Sequence, residues 1–207
     1  MSTDDREADR TRQQMWDERH AAHEPIESPE PDPTLVAEIG PLAPGRALDL
    51  GAGDGRNAVW LAAQGWCVTA VDFSRVALDR GRSLADRAGV EVDWAQRDLL
   101  SWAPPPRAFD LVCLFFIHLP PDERRAVYAR AAEAVAPGGS LLVVAHDRTN
   151  LERGGPGPQD PAVLFTAEEI AVGLGGFTVV RAGTVERPTA DGRVAVDAVL
   201  RAVRPKV

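Results

Sequence analysis

The chain has 207 residues, 44% of them hydrophobic, enough to bury one sizeable core, so a single domain over 1–207 is expected. Its 31 acidic residues outnumber 23 basic ones for a formal net charge of -8, and no basic run interrupts them, which disfavours DNA, RNA and anionic lipid as partners. The longest apolar runs, 111–119 and 141–145, fall far short of the roughly 20 residues that cross a bilayer, and the charged start Met1-Ser2-Thr3-Asp4-Asp5 lacks secretory character, so a cytoplasmic location is expected.

Residues 1–9 are polar and expected to be disordered. Thr11 to His23 fits a helix with Met15, Trp16 and His20 on nearby faces, and the N-terminal helical segment, 10–30, ends among Pro25, Pro29, Pro31 and Pro33. A helix through Leu35, Val36 and Ile39 precedes an apolar strand, Arg46 to Leu50. Helices at Arg56 to Gln64, Ser74 to Ala88 and Pro121 to Val135 then alternate with strands at Cys67 to Asp72, Val90 to Ala95, Phe109 to Phe116 and Ser140 to His146. A Gly/Pro-rich loop, a helix at Ala167 to Val172, and strands at Phe177 to Val185 and Val194 to Val203 complete the chain. Strands joined by crossover helices demand a parallel arrangement, while the last two are close enough in sequence to form a hairpin. The expected fold is therefore α/β, doubly wound, with a mainly parallel seven-stranded sheet ending in an antiparallel hairpin. Such sheets bind ligands beyond the carboxyl ends of their strands. Cys67 and Cys113 both fall in expected strands and are read as buried core thiols.

The first strand runs into a turn with glycine at alternate positions, Gly51-Ala52-Gly53-Asp54-Gly55. Glycine permits positive φ and close approach of a ligand to the backbone. About twenty residues on, Asp72 ends the second strand, where a carboxylate accepts from ribose hydroxyls in nucleotide-binding sheets. A dinucleotide site would carry a third glycine where Arg56 stands, so the spacing disfavours NAD. Asp49 admits both a turn-bracing role and a cofactor contact, and Asp54 and Arg56 read as turn and helix-start residues.

These segments resemble the class I S-adenosylmethionine (SAM)-dependent methyltransferases, a Rossmann-like fold. Leu48-Asp49-Leu50-Gly51-Ala52-Gly53-Asp54-Gly55 is similar to their first motif and Val71-Asp72-Phe73-Ser74 to their second. Arg97-Asp98-Leu99, Phe109-Asp110-Leu111-Val112 and Ala136-Pro137-Gly138-Gly139-Ser140-Leu141 follow in the family's order, so the resemblance covers roughly 45–147. It implies SAM as cofactor, with Gly51 and Gly53 beneath its methionine part, Asp72 on the ribose, Phe73 packed on the adenine and Asp98 accepting from the adenine amino group, and with Asp49 and Leu99 counted among the cofactor contacts. A looser resemblance, through Met15-Trp16-Asp17-Glu18-Arg19-His20 and the loop 154–161, is to the tellurite-resistance and thiopurine-type small-molecule methyltransferases. It implies an N-terminal helical lid with Trp16 and Arg19 as cofactor contacts; a helix merely packed on the sheet is the alternative.

Methyl transfer from a sulfonium is an in-line displacement that chiefly needs a positioned nucleophile and exclusion of water. The expected acceptor is a small-molecule thiol or other chalcogen, hydroxyl or amine. A hydroxyl or neutral amine needs a base, for which His118 and His146, at the ends of the fourth and fifth strands, are the candidates; strand-end histidines bonded to backbone are the alternative. His20, His23 and Glu24 lack the remaining ligands of a zinc site and are read as a solvated helix end, so no metal is expected. The loop from Arg148 to Thr166 is long enough to serve as a second lid. An NAD(P)-dependent oxidoreductase and a noncatalytic SAM-binding domain remain as alternative functions.

Overall fold

The structure, a computed structural model, describes residues 3–22, 30–153, 155–189 and 191–206. Its seven strands form one sheet in the order β3-β2-β1-β4-β5-β7-β6, where β1 is Arg46–Leu50, β2 Cys67–Asp72, β3 Asp93–Gln96, β4 Phe109–Phe115, β5 Val135–His146, β6 Thr178–Pro188 and β7 Val194–Val203. β2 with β3 and β4 with β5 pair in parallel, and β7 runs antiparallel to both β5 and β6. The fold is the expected doubly wound α/β sheet with a C-terminal hairpin. Among the described residues, no helix is long and apolar enough to cross a membrane. The chain divides into two compact units, one of residues 1–44 and 48–101, the other of 45–47 and 102–207.

In the first unit, α1 spans Thr3–Ala22 and α2 Pro33–Ile39. The segment expected to be disordered is thus helical from Thr3. It contains no Pro or Gly to interrupt a helix. Of the segment read as 10–30, residues 23–29 lie outside the described residues. Asp32 caps α2, its side chain accepting from the Thr34 N–H at 2.9 Å. α3 (Arg56–Ala63) and α4 (Arg75–Ala88) follow β1 and β2, and α4 is capped by the Ser74 hydroxyl. β3 starts at Asp93, three residues later than expected, because Val90 N–H closes the end of α4 by donating to the Ala85 carbonyl (3.1 Å). Val90, Val92 and Trp94 then pack on buried Val59, Leu84 and Ala85. Cys67, expected in the core, is exposed: it is the first residue of β2, before that strand's buried run begins.

In the second unit, α5 (Pro121–Ala134) connects β4 to β5, whose residues Leu141 to Ala145 are buried. β5 begins at Val135, not Ser140, and takes in Ala136-Pro137-Gly138-Gly139 as an irregularity: Phe109 pairs with Val135 but Leu111 with Ser140. Gly138 N–H donates to the Arg204 carbonyl and Arg204 N–H to the Gly139 carbonyl, so the displaced backbone stays paired. Cys113 is buried, as expected. The long connection after β5 contains a short helix, α6 (Thr149–Glu152), and a 3-10 turn at Pro161–Val163 before α7 (Ala167–Val172), and it buries Phe165 edge-on to Tyr128.

Candidate active site

The glycine turn lies in the first unit, at the end of β1. Gly51, Gly53 and Gly55 all have positive φ (71°, 53° and 82°), and the Gly51 and Ala52 N–H groups donate to the Val71 carbonyl. A Cβ on Gly53 would make an ordinary van der Waals contact with His20 Cε1 of α1 at 3.7 Å. A Cβ on Gly55 would lie 2.3 Å from Trp94 Cη2. Gly53 therefore has room for a methyl group beside His20, whereas Gly55 is required by its packing against Trp94.

Two buried carboxylates stand beside the turn. Asp72 accepts from the Gly53 N–H through Oδ2 and from the Ser74 N–H through Oδ1, both at 2.9 Å. A carboxylate has about four acceptor positions, so roughly two remain for further donors such as ribose hydroxyls. Burial raises the Asp72 carboxyl above its ordinary range despite these bonds. Asp49 is fully enclosed, and its Oδ2 has no hydrogen-bond partner among the described residues. Burial, reinforced by the neighbouring Asp72, pushes its carboxyl up to about 7. At the end of β3, Gln96 donates to the Phe73 carbonyl (3.1 Å), and Asp98 accepts from the Leu100 N–H through Oδ1 (2.8 Å). Phe73, Asp98 and Leu99 are half-buried.

α1 packs against this same turn and the start of α4. Asp17 accepts from the Ser74 hydroxyl and the Val76 N–H, where the α4 dipole favours negative charge. His20 Nδ1 lies 2.8 Å from Asp54 Oδ1, and Arg80 Nη1 lies 3.7 Å from Asp54 Oδ2. His20 is therefore not the solvated helix-end residue expected from the sequence; the glycine turn supplies its partner. His23 and Glu24 lie outside the described residues. The Arg19 guanidinium sits 4.7 Å over the Trp16 ring. Sequence reasoning missed Asp17 and His20 as docking residues, although their three-residue spacing on one helix face was visible.

The two candidate base residues meet in the second unit. His118 and His146 stack with ring centroids 5.3 Å apart and planes at 17°, and both rings adjoin Phe116. Burial, then the charge of His146, lowers the His118 imidazole to about 4. His146 Nδ1 lies 3.0 Å from Asp197 Oδ1, and Arg187 Nε donates to Asp197 Oδ2 at 2.7 Å. Burial alone would raise the Asp197 carboxyl; its contacts with His146 and Arg187 outweigh this and hold it below the usual range. Asp197 and Arg187 were not singled out from the sequence. The available signal was the acid interrupting the apolar run Val194-Ala195-Val196-Asp197-Ala198-Val199.

Residues 47–139, which include the turn, both buried carboxylates and the β3 and β4 strand ends, match a family described as a methyltransferase domain. Over those residues the chain is similar to class I methyltransferases. A ubiquinone biosynthesis O-methyltransferase of Xylella fastidiosa is 32% identical over 139 residues, 65% of this chain and 55% of that protein. The chain thus spans about half the length of the curated relatives it matches. Two solved structures share the methyltransferase fold at 19% identity and a TM-score of 0.71: TehB from Haemophilus influenzae, matched over 84% of this chain and 62% of that one, and the N-methyltransferase NodS from Bradyrhizobium japonicum with S-adenosyl-L-homocysteine, over 93% and 98%. All nine residues expected to contact the cofactor belong to the first unit, and both expected bases to the second.

Proposed function

We propose that the protein transfers a methyl group from SAM to a small-molecule nucleophile by in-line displacement, working as one domain with α1 as a lid. The observation that carries this reading is the buried Asp49 oxygen, which has no hydrogen-bond partner among the described residues, next to Asp72 and the glycine turn. A cradle with negative charge and no side-chain bulk suits a cationic ligand whose backbone-facing side must come close. Asp49, Gly51 and Gly53 would hold the methionine part and Asp72 the ribose. Phe73, Asp98 and Leu99 would enclose the adenine, with Trp16 and Arg19 closing over it from α1. When bound, SAM supplies an electrophilic methyl carbon on a sulfonium. The chain's own task is to bind and orient both molecules, exclude water and, for a protonated acceptor, remove a proton. Thiol or other chalcogen, hydroxyl and amine acceptors all suit this chemistry; the name of the O-methyltransferase relative favours hydroxyl.

Calorimetric titration tests the reading. SAM and S-adenosylhomocysteine are expected to bind the wild type with micromolar-scale affinity, and Asp72→Ala is expected to lose at least about tenfold. Absence of binding by the wild type, or an unchanged affinity in the variant, overturns it. Binding of NADH instead would support an oxidoreductase.

A further inference from the structure

Asp72 ends β2, and its two oxygens are held by different backbone donors: Oδ2 by the Gly53 N–H and Oδ1 by the Ser74 N–H, both at 2.9 Å. Each of these donors is backed by a residue of α1. Ser74 is fully buried, so its hydroxyl must find its partners within the protein. Its oxygen accepts from the Ala77 N–H at 3.2 Å as the cap of α4, and its hydrogen goes to Asp17 Oδ1. The same Asp17 oxygen accepts from the Val76 N–H at 3.3 Å, so a carboxylate from 57 positions earlier completes the first turn of α4. His20 follows Asp17 by three positions, on the same helix face. It serves the other flank. Its Nδ1 lies 2.8 Å from Asp54, the neighbour of Gly53 in the turn, and its Cε1 stands 3.7 Å from where a Gly53 Cβ would be.

A carboxylate that is to hold a pair of ligand hydroxyls must keep both its orientation and its charge. Orientation depends on the Gly53 and Ser74 N–H groups, one for each oxygen, and therefore on the glycine turn and the start of α4 staying in place. Without Asp17, the buried Ser74 hydroxyl and the Val76 N–H lose their acceptor, and the cap must rearrange to recover one. Charge is the second requirement. Burial raises the Asp72 carboxyl; the Ser74 and Gly53 N–H groups oppose this, and a positive charge on His20 opposes it further. The helix α1 thus supports the oriented, ionised form of Asp72 by acting through Ser74 and the glycine turn.

We infer that Asp17 and His20 are positioning residues for Asp72, so that docking of α1 and binding of a ribose-bearing ligand at Asp72 strengthen one another. This rests on the proposed methyltransferase reading, in which Asp72 takes the ribose of SAM. All the residues involved belong to the first unit. Trp16 and Arg19 would face the ligand, whereas Asp17 and His20 act from behind the carboxylate that binds it. Linkage requires the effect to run both ways by the same factor: if docked α1 tightens the ligand, the ligand must tighten the docking of α1.

Calorimetry with S-adenosylhomocysteine and limited digestion with trypsin test this on the full chain. Asp17→Ala is expected to weaken S-adenosylhomocysteine about tenfold, whereas Asp17→Asn, whose amide oxygen still accepts from Ser74, should stay within about threefold of wild type. In the Asp72→Ala background the same Asp17→Ala change should cost less than about twofold, because the residue it positions is gone. A role in folding alone would leave affinity unchanged, or give equal losses with and without Asp72. The reciprocal effect is read at Arg19, an exposed trypsin site in α1. Saturating S-adenosylhomocysteine should slow cleavage there about tenfold in the wild type but less than about twofold in Asp17→Ala. Protection that came only from ligand lying over Arg19 would survive the substitution. If Asp17→Ala fails to fold, His20→Ala carries the same measurements, with losses of about threefold that vanish in the Asp72→Ala background. Unchanged affinity in Asp17→Ala, an equal loss in Asp17→Asn, an equal loss without Asp72, or protection that persists in Asp17→Ala overturns the inference. Failure of the wild type to bind S-adenosylhomocysteine would instead sink the methyltransferase reading beneath it.

Discussion

Replacing Asp49 by Asn removes a buried ionisable group beside the glycine turn while keeping its shape. The carboxyl of Asp49 is raised from 3.8 to about 7, first by burial and then by Asp72. The folded chain therefore retains a proton that the unfolded chain releases, and stability from this group falls as pH rises from about 4 to about 7, then stays flat. Three units correspond to a ceiling of about 4 kcal/mol of strain in the ligand-free protein at pH 8. The amide of Asn forfeits roughly 1–3 kcal/mol of this because it too needs partners in a site where Oδ2 has none. The net expectation is a gain of about 1–3 kcal/mol at pH 8, or roughly 3–10 °C in Tm for a chain of this size, fading by pH 5 where the wild-type carboxyl is already protonated. A cationic ligand reverses the sign: it stabilises the ionised carboxylate, so SAM affinity of the wild type should rise about tenfold between pH 6 and 8, and Asp49→Asn should flatten that dependence and bind more weakly. Thermal unfolding at pH 5 and 8, with and without SAM, reads both effects. A variant that is less stable than wild type at pH 8, or that binds SAM equally well with the same pH dependence, would refute the reasoning.

The glycines of the turn should separate stability from binding. Gly55→Ala drives a Cβ to 2.3 Å from Trp94 at φ 82°, and a loss of at least about 2 kcal/mol is expected by denaturant unfolding. Gly53→Ala makes only an ordinary contact with His20 and carries the backbone penalty of about 1 kcal/mol, yet it should impair SAM binding by calorimetry more than Gly55→Ala does in whatever fraction folds. Deleting residues 1–24 removes Asp17 from the start of α4 and His20 from Asp54; SAM affinity or turnover should fall while the far-ultraviolet dichroism of the remaining core persists. Unchanged activity would end the lid proposal.

The proposed donor side could be read from the sequence because its residues are close in sequence and each strand end carries its own signature. Gly51 to Gly55, Asp72 and Asp98 sit at consecutive strand termini, and alternating helix and strand patterns locate those termini without knowledge of packing. Boundaries shifted where backbone pairing overrode side-chain pattern. Val90 and Val92 are apolar enough for a strand, but the Gly89 cap commits the backbone there to α4; Pro137 and Gly138 look like a turn, but β4 and Arg204 draw them into β5. The histidine cluster was half legible. His118 and His146 stand at strand ends, whereas the acid that serves His146 lies 51 positions away and meets it only through the β5–β7 register, which no local pattern encodes. His20 shows the same limit: its partner Asp54 comes from a different element, so helix periodicity alone read it as solvated.

Gly55 changes which feature separates SAM from a dinucleotide. In a dinucleotide turn the third glycine serves close helix–strand packing. Gly55 performs that task here one position earlier, against Trp94 of β3 and Gly81 of α4, so the displaced glycine reports the bulk of Trp94 and not the identity of the ligand. The stronger discriminator is charge. A pyrophosphate needs unopposed N–H donors and a positive environment, but the Gly51 and Ala52 donors are spent on the Val71 carbonyl and the Gly53 donor on Asp72. Beside them lie two carboxylates whose burial already makes ionisation costly. A second anion would compound that cost, while a ligand with an ammonium and a sulfonium relieves it. The same electrostatic strain that makes Asp49 a liability in the empty protein therefore favours a cationic donor over NAD.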